Sequence, residues 1–278
     1  MGSTAPTNGS MATTHHTDPT KVDLDGAPSV FASPHRLSMV YGGGGVFGIA
    51  YGAGVAAGLI EAGIDVRSAP ALGTSAGSWV ASAMALGMGY DDFADLESPS
   101  VPTRRDVLVE IARDIFGGAR HHLVSVSAVC IPSGRRHILD GGRYDLADLV
   151  AASSSVPGMF PPHRVDGRLY VDGGMWSATS IDAATAADHI IVIAPLAGPV
   201  MGPMGRTAGF MLSRELGRWR EEHPGKTIEL IRPNRAIGKL AGRNPMGLFD
   251  ADRARPVFPL AVEQGREWGE QIRAPSAA

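Results

Sequence analysis

The sequence has one cysteine, few aromatic residues and no long apolar run. Cys130 is the single cysteine among 278 residues, so the chain cannot form an internal disulfide, which is typical of a reducing compartment. No stretch approaches the roughly 20 consecutive apolar residues of a membrane-spanning helix. We therefore expect a cytoplasmic protein, for which any contact with a membrane would be peripheral.

The sequence also lacks a large excess of either positive or negative charge. Charged residues make up 19% of the chain, the formal net charge is −3, and lysines and arginines are scattered. This balance argues against a nucleic-acid partner. The histidines are scattered as well, without partners at metal-ligand spacing, so we expect no metal site. The sequence makes no prediction of the oligomeric state.

The composition divides the chain into three parts. Residues 1–36 are rich in Ser, Thr, Pro, Gly and His and lack the basic start and apolar block of a signal peptide, which predicts a disordered extension. Residues 37–272 form one predicted domain, and residues 273–278 form a C-terminal tail. Within the domain, strands alternate with helices, which predicts a three-layer α/β/α fold with a central, mostly parallel sheet.

Hydrophobic periodicity places the predicted elements. Strands are expected at Leu37–Tyr41, Ala69–Thr74, Val124–Ile131, Ile190–Pro195 and Thr227–Ile231, with a hairpin at His163–Asp172. Helices are expected at Ile49–Glu61, Ala76–Leu86, Val107–Phe116, Leu146–Ala152, Ala208–Glu222 and Arg255–Ile272. Small residues spaced four apart on the first helix, such as Gly54 and Gly58, predict close packing on the sheet.

A run of four glycines, Gly42 to Gly45, follows the first predicted strand. Glycine is entropically costly, so such a run indicates that bare backbone is needed there. Gly43-x-Gly45-x-x-Gly48 matches a dinucleotide-binding fingerprint, which also needs an acidic residue at the end of the next strand. That place is taken by Gly73-Thr74-Ser75. A dinucleotide- or flavin-binding oxidoreductase remains an alternative, but the acidic residue that it needs at the end of the second strand is missing. The plainer interpretation of the glycine run is a tight turn that binds no ligand.

The second motif is a G-x-S-x-G pentapeptide that runs from Gly73 to Gly77. It lies between a predicted strand and a predicted helix, where a nucleophile elbow belongs. The flanking glycines would remove side chains that clash in such a sharp turn. The plainer interpretation is that Ser75 caps the helix that follows.

The third motif is Asp172-Gly173-Gly174, at the end of the predicted hairpin. A carboxylate freed by neighbouring glycines at a strand end could act as a general base. The plainer interpretation is an Asx-turn.

Taken together and in this order, the three motifs resemble the patatin-like phospholipase family. The serine follows the glycine run by about 30 residues, and the aspartate follows the serine by about 100. The stretches GIAYGAGV, AASSSVPGMFPP and YVDGGMWSATSIDAA add to the resemblance, which covers most of the predicted domain.

The resemblance implies a lipid acyl hydrolase with a Ser–Asp dyad and no cofactor. Ser75 would be the nucleophile, Asp172 its general base, and the backbone N–H groups of Gly43, Gly44 and Gly45 the oxyanion hole. The substrate would be a lipid or another carboxylic ester. The sequence departs from the family at Phe47, where many members carry Arg or Lys, which puts a preference for phospholipid in doubt.

Several residues are candidates for substrate contacts. Phe47, Met159 and Trp176 lie in or near the motifs, and flexible side chains suit acyl chains. For each residue, a place in the core is the plainer interpretation. The remaining candidates are Met84, Met88, Met175, Phe160 and the MGPMGRTAGFML segment. The overlapping segment Val200–Phe210 is a candidate mobile lid.

Two other functions remain open from the sequence. An α/β-hydrolase with a Ser–Asp–His triad would need a late histidine such as His189 or His223. Neither residue lies in a glycine-punctuated loop, so we expect both to be dispensable for activity. A lipid-binding scaffold without catalysis is the other alternative, and the presence of both Ser75 and Asp172 argues against it.

Overall fold

The structure, a computed structural model, describes residue 1 and residues 37–92, 99, 104–184, 187–197, 202–242 and 244–274. The predicted N-terminal extension and most of the predicted tail lie outside the described residues. The domain boundaries therefore stay a prediction.

Eight strands and eight α-helices are present in the described part of the chain. In chain order they are β1 (Leu37–Tyr41), α1 (Gly45–Glu61), β2 (Ala71–Thr74), α2 (Ala76–Ala85), α3 (Val107–Phe116), β3 (Val124–Ile131), β4 (Arg135–Asp140), α4 (Leu146–Ser154), β5 (His163–Val165), β6 (Arg168–Asp172), β7 (His189–Ile193), α5 (Gly202–Glu222), β8 (Thr227–Ile231), α6 (Arg235–Ala241), α7 (Ala251–Ala254) and α8 (Val257–Arg273). All strands join one sheet.

The centre of the sheet is parallel. Strand β1 pairs in parallel with β2 on one side and with β7 on the other, and β7 pairs in parallel with β8. Strand β2 in turn pairs in parallel with β3. The apolar run of β7 is buried on both faces, as is usual for a parallel sheet that is covered by helices on both sides. The carboxyl ends of these strands therefore meet at one edge, where ligands bind in open α/β sheets.

Strand β3 joins the parallel part to the antiparallel part. One edge of β3 pairs with β4 along its length. The other edge is shared: the first half pairs with β2 and the second half with β6, which runs antiparallel. Strands β2 and β6 thus point at each other, and their carboxyl ends meet beside the middle of β3.

Helices cover both faces of the sheet, which confirms the predicted three-layer fold. On one face, Met39 and Tyr41 of β1 pack into a core with α1, α2, α3, α4 and α8. On the other face, Val40 packs into a second core with Leu212 and Trp219 of α5. The alternation of side chains along each strand produces these two layers.

Several features of the fold differ from the sequence-based expectations. Helix α1 begins at Gly45, four residues before the predicted start, so Gly45 and Gly48 are helical rather than loop residues. Packing overrides their low helix propensity, because a Cβ atom at Gly48 would lie 3.1 Å from the Cβ of Ala76. Helix α5 likewise begins at Gly202, six residues before its predicted start.

Strand β4 and the short helices α6 and α7 were not predicted. Strand β4 begins with two arginines, and α6 and α7 have seven and four residues.

Some of the small residues of α1 pack against helix α8 rather than against the sheet. A Cβ atom at Gly58 would lie 2.0 Å from the carbonyl oxygen of Val262 in α8, and one at Gly54 would lie 2.7 Å from the Cβ of Ala261. The expectation that this ridge packs on the sheet was therefore wrong. Its glycines let two helices cross at backbone contact.

Candidate active site

Ser75 occupies the sharp turn between β2 and α2. Its backbone has φ 52° and ψ −123°, a positive φ that a non-glycine residue rarely adopts. The strain is held by hydrogen bonds on both sides of the turn. The Ser75 N–H donates to the hydroxyl of Ser153 at 2.8 Å, and its carbonyl oxygen accepts the N–H of Ser78 at 2.8 Å.

Both glycines of the G-x-S-x-G motif are required by close contacts. A Cβ atom at Gly73 would lie 2.5 Å from the Cα of Ser78, and one at Gly77 would lie 1.9 Å from the carbonyl oxygen of Tyr41. Any larger residue would push α2 away from β1 and β2. The motif thus has the steric character of a nucleophile elbow.

The meeting of β2 and β6 brings Asp172 next to Ser75. Thr74, the last residue of β2, pairs with Ser127 of β3, and Asp172, the last residue of β6, pairs with the following residue, Ala128. Gly173 continues this close packing, because a Cβ atom there would lie 2.2 Å from the Ser127 carbonyl oxygen. The two predicted dyad residues, about 100 positions apart in the chain, are therefore neighbours.

The carboxylate of Asp172 is buried, and its two oxygens have different surroundings. Oδ1 accepts the N–H of Gly174 at 2.6 Å. Oδ2 is buried and has no partner in good hydrogen-bond geometry among the described residues. Burial raises the pKa of Asp172 from its usual 3.8 to about 6, against the opposing effects of the Ser75 hydroxyl and the Gly174 N–H. Asp172 is thus a carboxylate of raised basicity that interacts with the Ser75 hydroxyl.

Ser153 supports the nucleophile, a role that was not predicted from the sequence. Its hydroxyl accepts the Ser75 N–H and donates to the Ser127 carbonyl oxygen at 2.7 Å. The neighbouring Ser154 hydroxyl accepts the indole N–H of Trp79 at 3.0 Å. The run of three serines in AASSSVPGMFPP, next to a valine and a proline, was the signal that could have indicated this role.

The glycine run lies beside Ser75, and its backbone N–H groups differ in whether they already donate a hydrogen bond within the protein. A Cβ atom at Gly43 would lie 3.3 Å from the Ser75 Cβ. The Gly43 N–H donates to the carbonyl oxygen of Ala178 at 2.9 Å, so it already has an acceptor. The N–H groups of Gly44 and Gly45 precede the first hydrogen bond of α1, which runs from Gly48 N–H to Gly44 O at 2.9 Å.

An apolar pocket of about 480 Å³, including its open mouth, begins at Ser75. The N-termini of α1 and α2 both reach it, through Gly45 and Ala76. No ionisable side chain lines the pocket among the described residues. Its walls come from α1, α2, α3, the end of α4 and the connecting segments. The remaining lining residues are Val46, Ile49, Trp79, Pro99, Leu108, Ile111, Ser154, Val156, Phe160 and Phe249.

Of the predicted substrate contacts, Phe160 alone is among the described pocket residues. Phe47 is fully buried and stacks on Tyr51, one helical turn further along α1, in the core. Met159 and Trp176 lie outside the pocket lining, and the Trp176 ring packs over the guanidinium of Arg136.

The other predicted methionines are also elsewhere. Met84 is buried in the core, Met88 packs against it, and Met175 is exposed. Residues 200 and 201 of the candidate lid lie outside the described residues, and the rest of that segment, from Gly202, forms the start of α5.

The alternative site residues are not gathered around Ser75. His189 is the first residue of β7, at the amino end of the sheet, whereas Ser75 follows the carboxyl end of β2. His223 follows α5 and hydrogen-bonds the Trp219 carbonyl oxygen at 2.9 Å. For the dinucleotide interpretation, β2 is the strand that follows α1, and it is followed by Ser75 rather than by an acidic residue.

Metal-binding clusters and membrane-spanning helices are both absent from the described residues. No three histidine, cysteine, aspartate or glutamate side chains lie close enough together in the described segments to hold a metal ion. None of the helices in those segments has the length and apolar character needed to cross a bilayer.

Comparison with known proteins relates the sequence to one family. A family model described as Patatin-like phospholipase matches residues 133–185, which include α4, the β5–β6 hairpin and Asp172. An uncharacterized NTE family protein of Mycobacterium tuberculosis is 28% identical over 247 residues, which cover 82% of this chain and 61% of that protein. A protein of Mycobacterium bovis with the same description gives the same values.

A second NTE family protein of Mycobacterium tuberculosis is 32% identical over 179 residues, which cover 58% of this chain and 30% of that protein. This chain thus spans 61% of the length of the longer-matching relatives. With the three-layer fold, the matches confirm the resemblance of this chain to the patatin-like phospholipase family.

Proposed function

We propose that this protein hydrolyses carboxylic esters of lipids through a dyad of Ser75 and Asp172. The observation that carries the proposal is the junction of β2 and β6. It places a strained serine next to a buried carboxylate whose Oδ2 has no other partner among the described residues. The apolar pocket that opens at the same serine supports an acyl group as the part of the substrate that is bound.

Asp172 would act first as a base and then as an acid. Its carboxylate takes the proton of the Ser75 hydroxyl while Oγ attacks the ester carbonyl carbon. When the tetrahedral intermediate collapses, the same proton passes to the departing alkoxide, and an acyl-serine remains. A water molecule then attacks the acyl-serine and gives its proton to Asp172. The fatty acid leaves, and the proton returns to Ser75.

The negative charge of the intermediate would be stabilised at the N-termini of two helices. Gly45 at the start of α1 and Ala76 at the start of α2 line the pocket beside Ser75, and Gly44 is the N-cap residue of α1. Gly43, which was expected to be a donor, would instead fix the loop through Ala178. Loss of one donor in an oxyanion hole typically costs about 3–4 kcal/mol of transition-state stabilisation.

The pocket lining favours uncharged acyl chains over charged groups. Its walls are aliphatic or aromatic, and Phe47, where many family members carry a cation, is buried away from it. We therefore propose that the pocket takes the acyl chain of a neutral or zwitterionic ester and that headgroup charge contributes little there.

The decisive experiment uses a fluorophosphonate probe together with p-nitrophenyl esters. We expect the parent protein to be labelled and to hydrolyse the esters. Ser75→Ala should lose both activities, because no other nucleophile is available in the dyad. Asp172→Asn should lower kcat by at least about a hundredfold, because a neutral amide cannot accept the Ser75 proton.

The control variants replace histidines that lie away from Ser75 and Asp172, and each is first checked for an intact fold. His189→Ala and His223→Ala should each retain most of the activity, and a loss beyond about tenfold with an intact fold would favour a triad. Labelling or turnover that persists in Ser75→Ala would exclude the dyad. A folded parent with neither labelling nor turnover would favour a scaffold without catalysis.

A further inference from the structure

A four-residue segment behind the dyad, Ser177–Ser180, has more polar contacts than a connecting loop needs. It follows Asp172 by five residues and connects β6 to the buried Ile181. Its hydroxyl-bearing side chains are at most 3% exposed, and Ser180 has a left-handed backbone with φ 54°. Buried polar groups in a strained segment must be satisfied by specific partners.

Glu215 of α5 binds this segment from one side. Its Oε2 accepts the Thr179 hydroxyl at 3.1 Å, and the Ser177 hydroxyl acts on the same carboxyl by lowering its pKa against the effect of burial. The other contacts of Ser177 explain why its hydroxyl group faces Glu215. Its oxygen accepts the N–H groups of Thr179 at 3.2 Å and Ser180 at 2.8 Å, which occupy both lone pairs. The hydroxyl proton is then left to point at Glu215.

The same segment touches the catalytic elements on its other sides. The Ala178 carbonyl oxygen accepts the Gly43 N–H at 2.9 Å, so it ties the segment to the glycine run. The Ser180 hydroxyl donates to the Ser127 hydroxyl at 3.0 Å on β3. Ser127 also accepts the Ser153 hydroxyl through its carbonyl oxygen, and Ser153 holds the Ser75 N–H.

The charges around Glu215 are consistent with a carboxylate held for its acceptor oxygens. Burial raises the pKa of Glu215, and the hydroxyl groups of Ser177 and Thr179 oppose this rise. Asp182 and Arg136 are the other charged groups that affect it, and they form a two-pronged ion pair with each other. Glu215 therefore accepts the Thr179 hydroxyl, lies beside the Ser177 hydroxyl and has no ion-pair partner in the described part of the chain.

We propose that Glu215 is a positioning residue that clamps Ser177–Ser180 and thereby fixes the glycine run beside Ser75. The effect reaches Gly43 through Ala178, because Ala178 lies between Thr179, which donates to the carboxylate, and Ser177, whose hydroxyl lies beside it. The anchoring of the glycine run follows from these contacts alone. Its consequence for ester hydrolysis rests on the function proposed above.

The test compares two ways of breaking the clamp with matched controls. Glu215→Gln replaces one acceptor oxygen by an amide, and Thr179→Val removes a hydroxyl while it keeps the shape. Thr179→Ser restores the hydroxyl, and Glu222→Gln makes the same change as Glu215→Gln at an exposed position of the same helix. Amide hydrogen exchange of residues 42–48, kcat and KM for a p-nitrophenyl ester, and thermal unfolding are measured for each variant.

We expect Glu215→Gln and Thr179→Val to speed exchange at Gly43 and to lower kcat by about tenfold with KM within about twofold. A small displacement of catalytic groups reduces turnover, whereas the acyl pocket is unchanged. Thr179→Ser should recover most of the activity that Thr179→Val loses, and Glu222→Gln should match the parent.

The proposal is overturned if exchange at Gly43 matches the parent in both broken-clamp variants, or if kcat falls only in proportion to the folded fraction. If Glu215→Gln does not fold, the pair Thr179→Val and Thr179→Ser decides the question. A parent without esterase activity would contradict the proposed function, and the exchange measurement would still decide whether the clamp exists.

Discussion

Asp172 shows how the two oxygens of one carboxylate can have separate roles. Oδ1 is engaged by the Gly174 N–H, which orients the side chain, and Oδ2 remains free of good partners among the described residues. Gly174 has to be a glycine for this contact, because a Cβ atom there would lie 2.8 Å from Oδ1. The Asp-Gly-Gly motif thus combines the Asx-turn that was the plainer interpretation with the carboxylate that the proposed mechanism needs.

The raised pKa of Asp172 predicts the pH dependence of the reaction. Because the base must be ionised, kcat/KM should fall below pH about 6, with one proton taken up by the free enzyme. The pH–rate profile for a neutral ester tests this, since the substrate does not titrate. A profile that stays flat down to pH about 4.5 in the folded protein would contradict the assignment.

The same pKa shift predicts that Asp172 costs stability at neutral pH. The folded carboxyl holds its proton up to about pH 6, whereas in the unfolded chain it loses the proton near 3.8. Stability therefore falls as pH rises through this window, by roughly 3 kcal/mol in total. Asp172→Asn should be inactive and more stable than the parent at pH about 7.5, and this gain should shrink towards pH about 4.

Urea unfolding at both pH values measures this difference. Asp114→Asn, an exposed change on α3, serves as the control and should shift the free energy of unfolding little at either pH. An Asp172→Asn variant that is less stable than the parent at the higher pH would show that the hydrogen bonds of the carboxylate outweigh its burial.

At the scale of elements, the crossing of α1 and α8 depends on missing side chains. Gly58 lies against Val262, and a Cβ atom at Gly265 of α8 would lie 2.3 Å from the carbonyl oxygen of Val55. The Tyr51 hydroxyl adds a bond to Gln264 at 3.3 Å across the same contact. Helix α8 thereby covers the helix whose N-terminus carries the glycine run.

Two glycine-to-alanine changes should therefore have opposite effects. Gly58→Ala places a methyl group 2.0 Å from a backbone oxygen and should destabilise the protein by about 3 kcal/mol or more. Gly217→Ala in α5 meets nothing within 4 Å and should stabilise it by about 0.5–1 kcal/mol. Chemical unfolding measures both, and equal effects would contradict the close crossing.

Helix α3 should control the acyl length that the pocket accepts. Ile111 lines the pocket, whereas Ile115 on the same helix is not among the lining residues. Ile111→Ala should shift the preferred p-nitrophenyl ester by about two carbons towards longer chains, because a side chain of about three methylenes is removed. Ile115→Ala should leave the chain-length profile unchanged, and a shift in both variants would indicate a global loosening instead.

In the molecule as a whole, the sheet separates a rigid centre from less protected margins. Strands β1 and β7 have partners on both sides and helices on both faces, whereas β5 and β8 lie at opposite ends of the strand order. Hydrogen exchange should be slowest in β1 and β7 and faster in β5 and β8. Exchange in β8 as slow as in β1 would indicate protection by a partner molecule.

Much of the fold and the central residues of the site could be predicted from the sequence. Apolar runs such as Ile190–Ile193 identify buried strands, and glycines on each side of Ser75 identify a sharp turn. Strand β4 could not be predicted, because its first residues are arginines and its pairing with β3 is decided at a distance. Most of the pocket lining was also out of reach, since Ile111 and Phe249 come together only when α3 packs on α4 and the chain before α7 packs on α1.

Short stretches of sequence were enough to establish the local chemistry: a serine in a glycine-flanked turn, an aspartate followed by glycines, and a glycine run at a strand end. Each of these properties depends on a few consecutive residues, so the chain carries them whatever its fold. Which groups meet was settled only by the packing of distant segments. Strands β2 and β6 share one edge of β3, so Asp172 reaches Ser75, Gly43 is tied to Ala178, and Phe47 turns into the core, because pairing and packing depend on residues far apart in the chain.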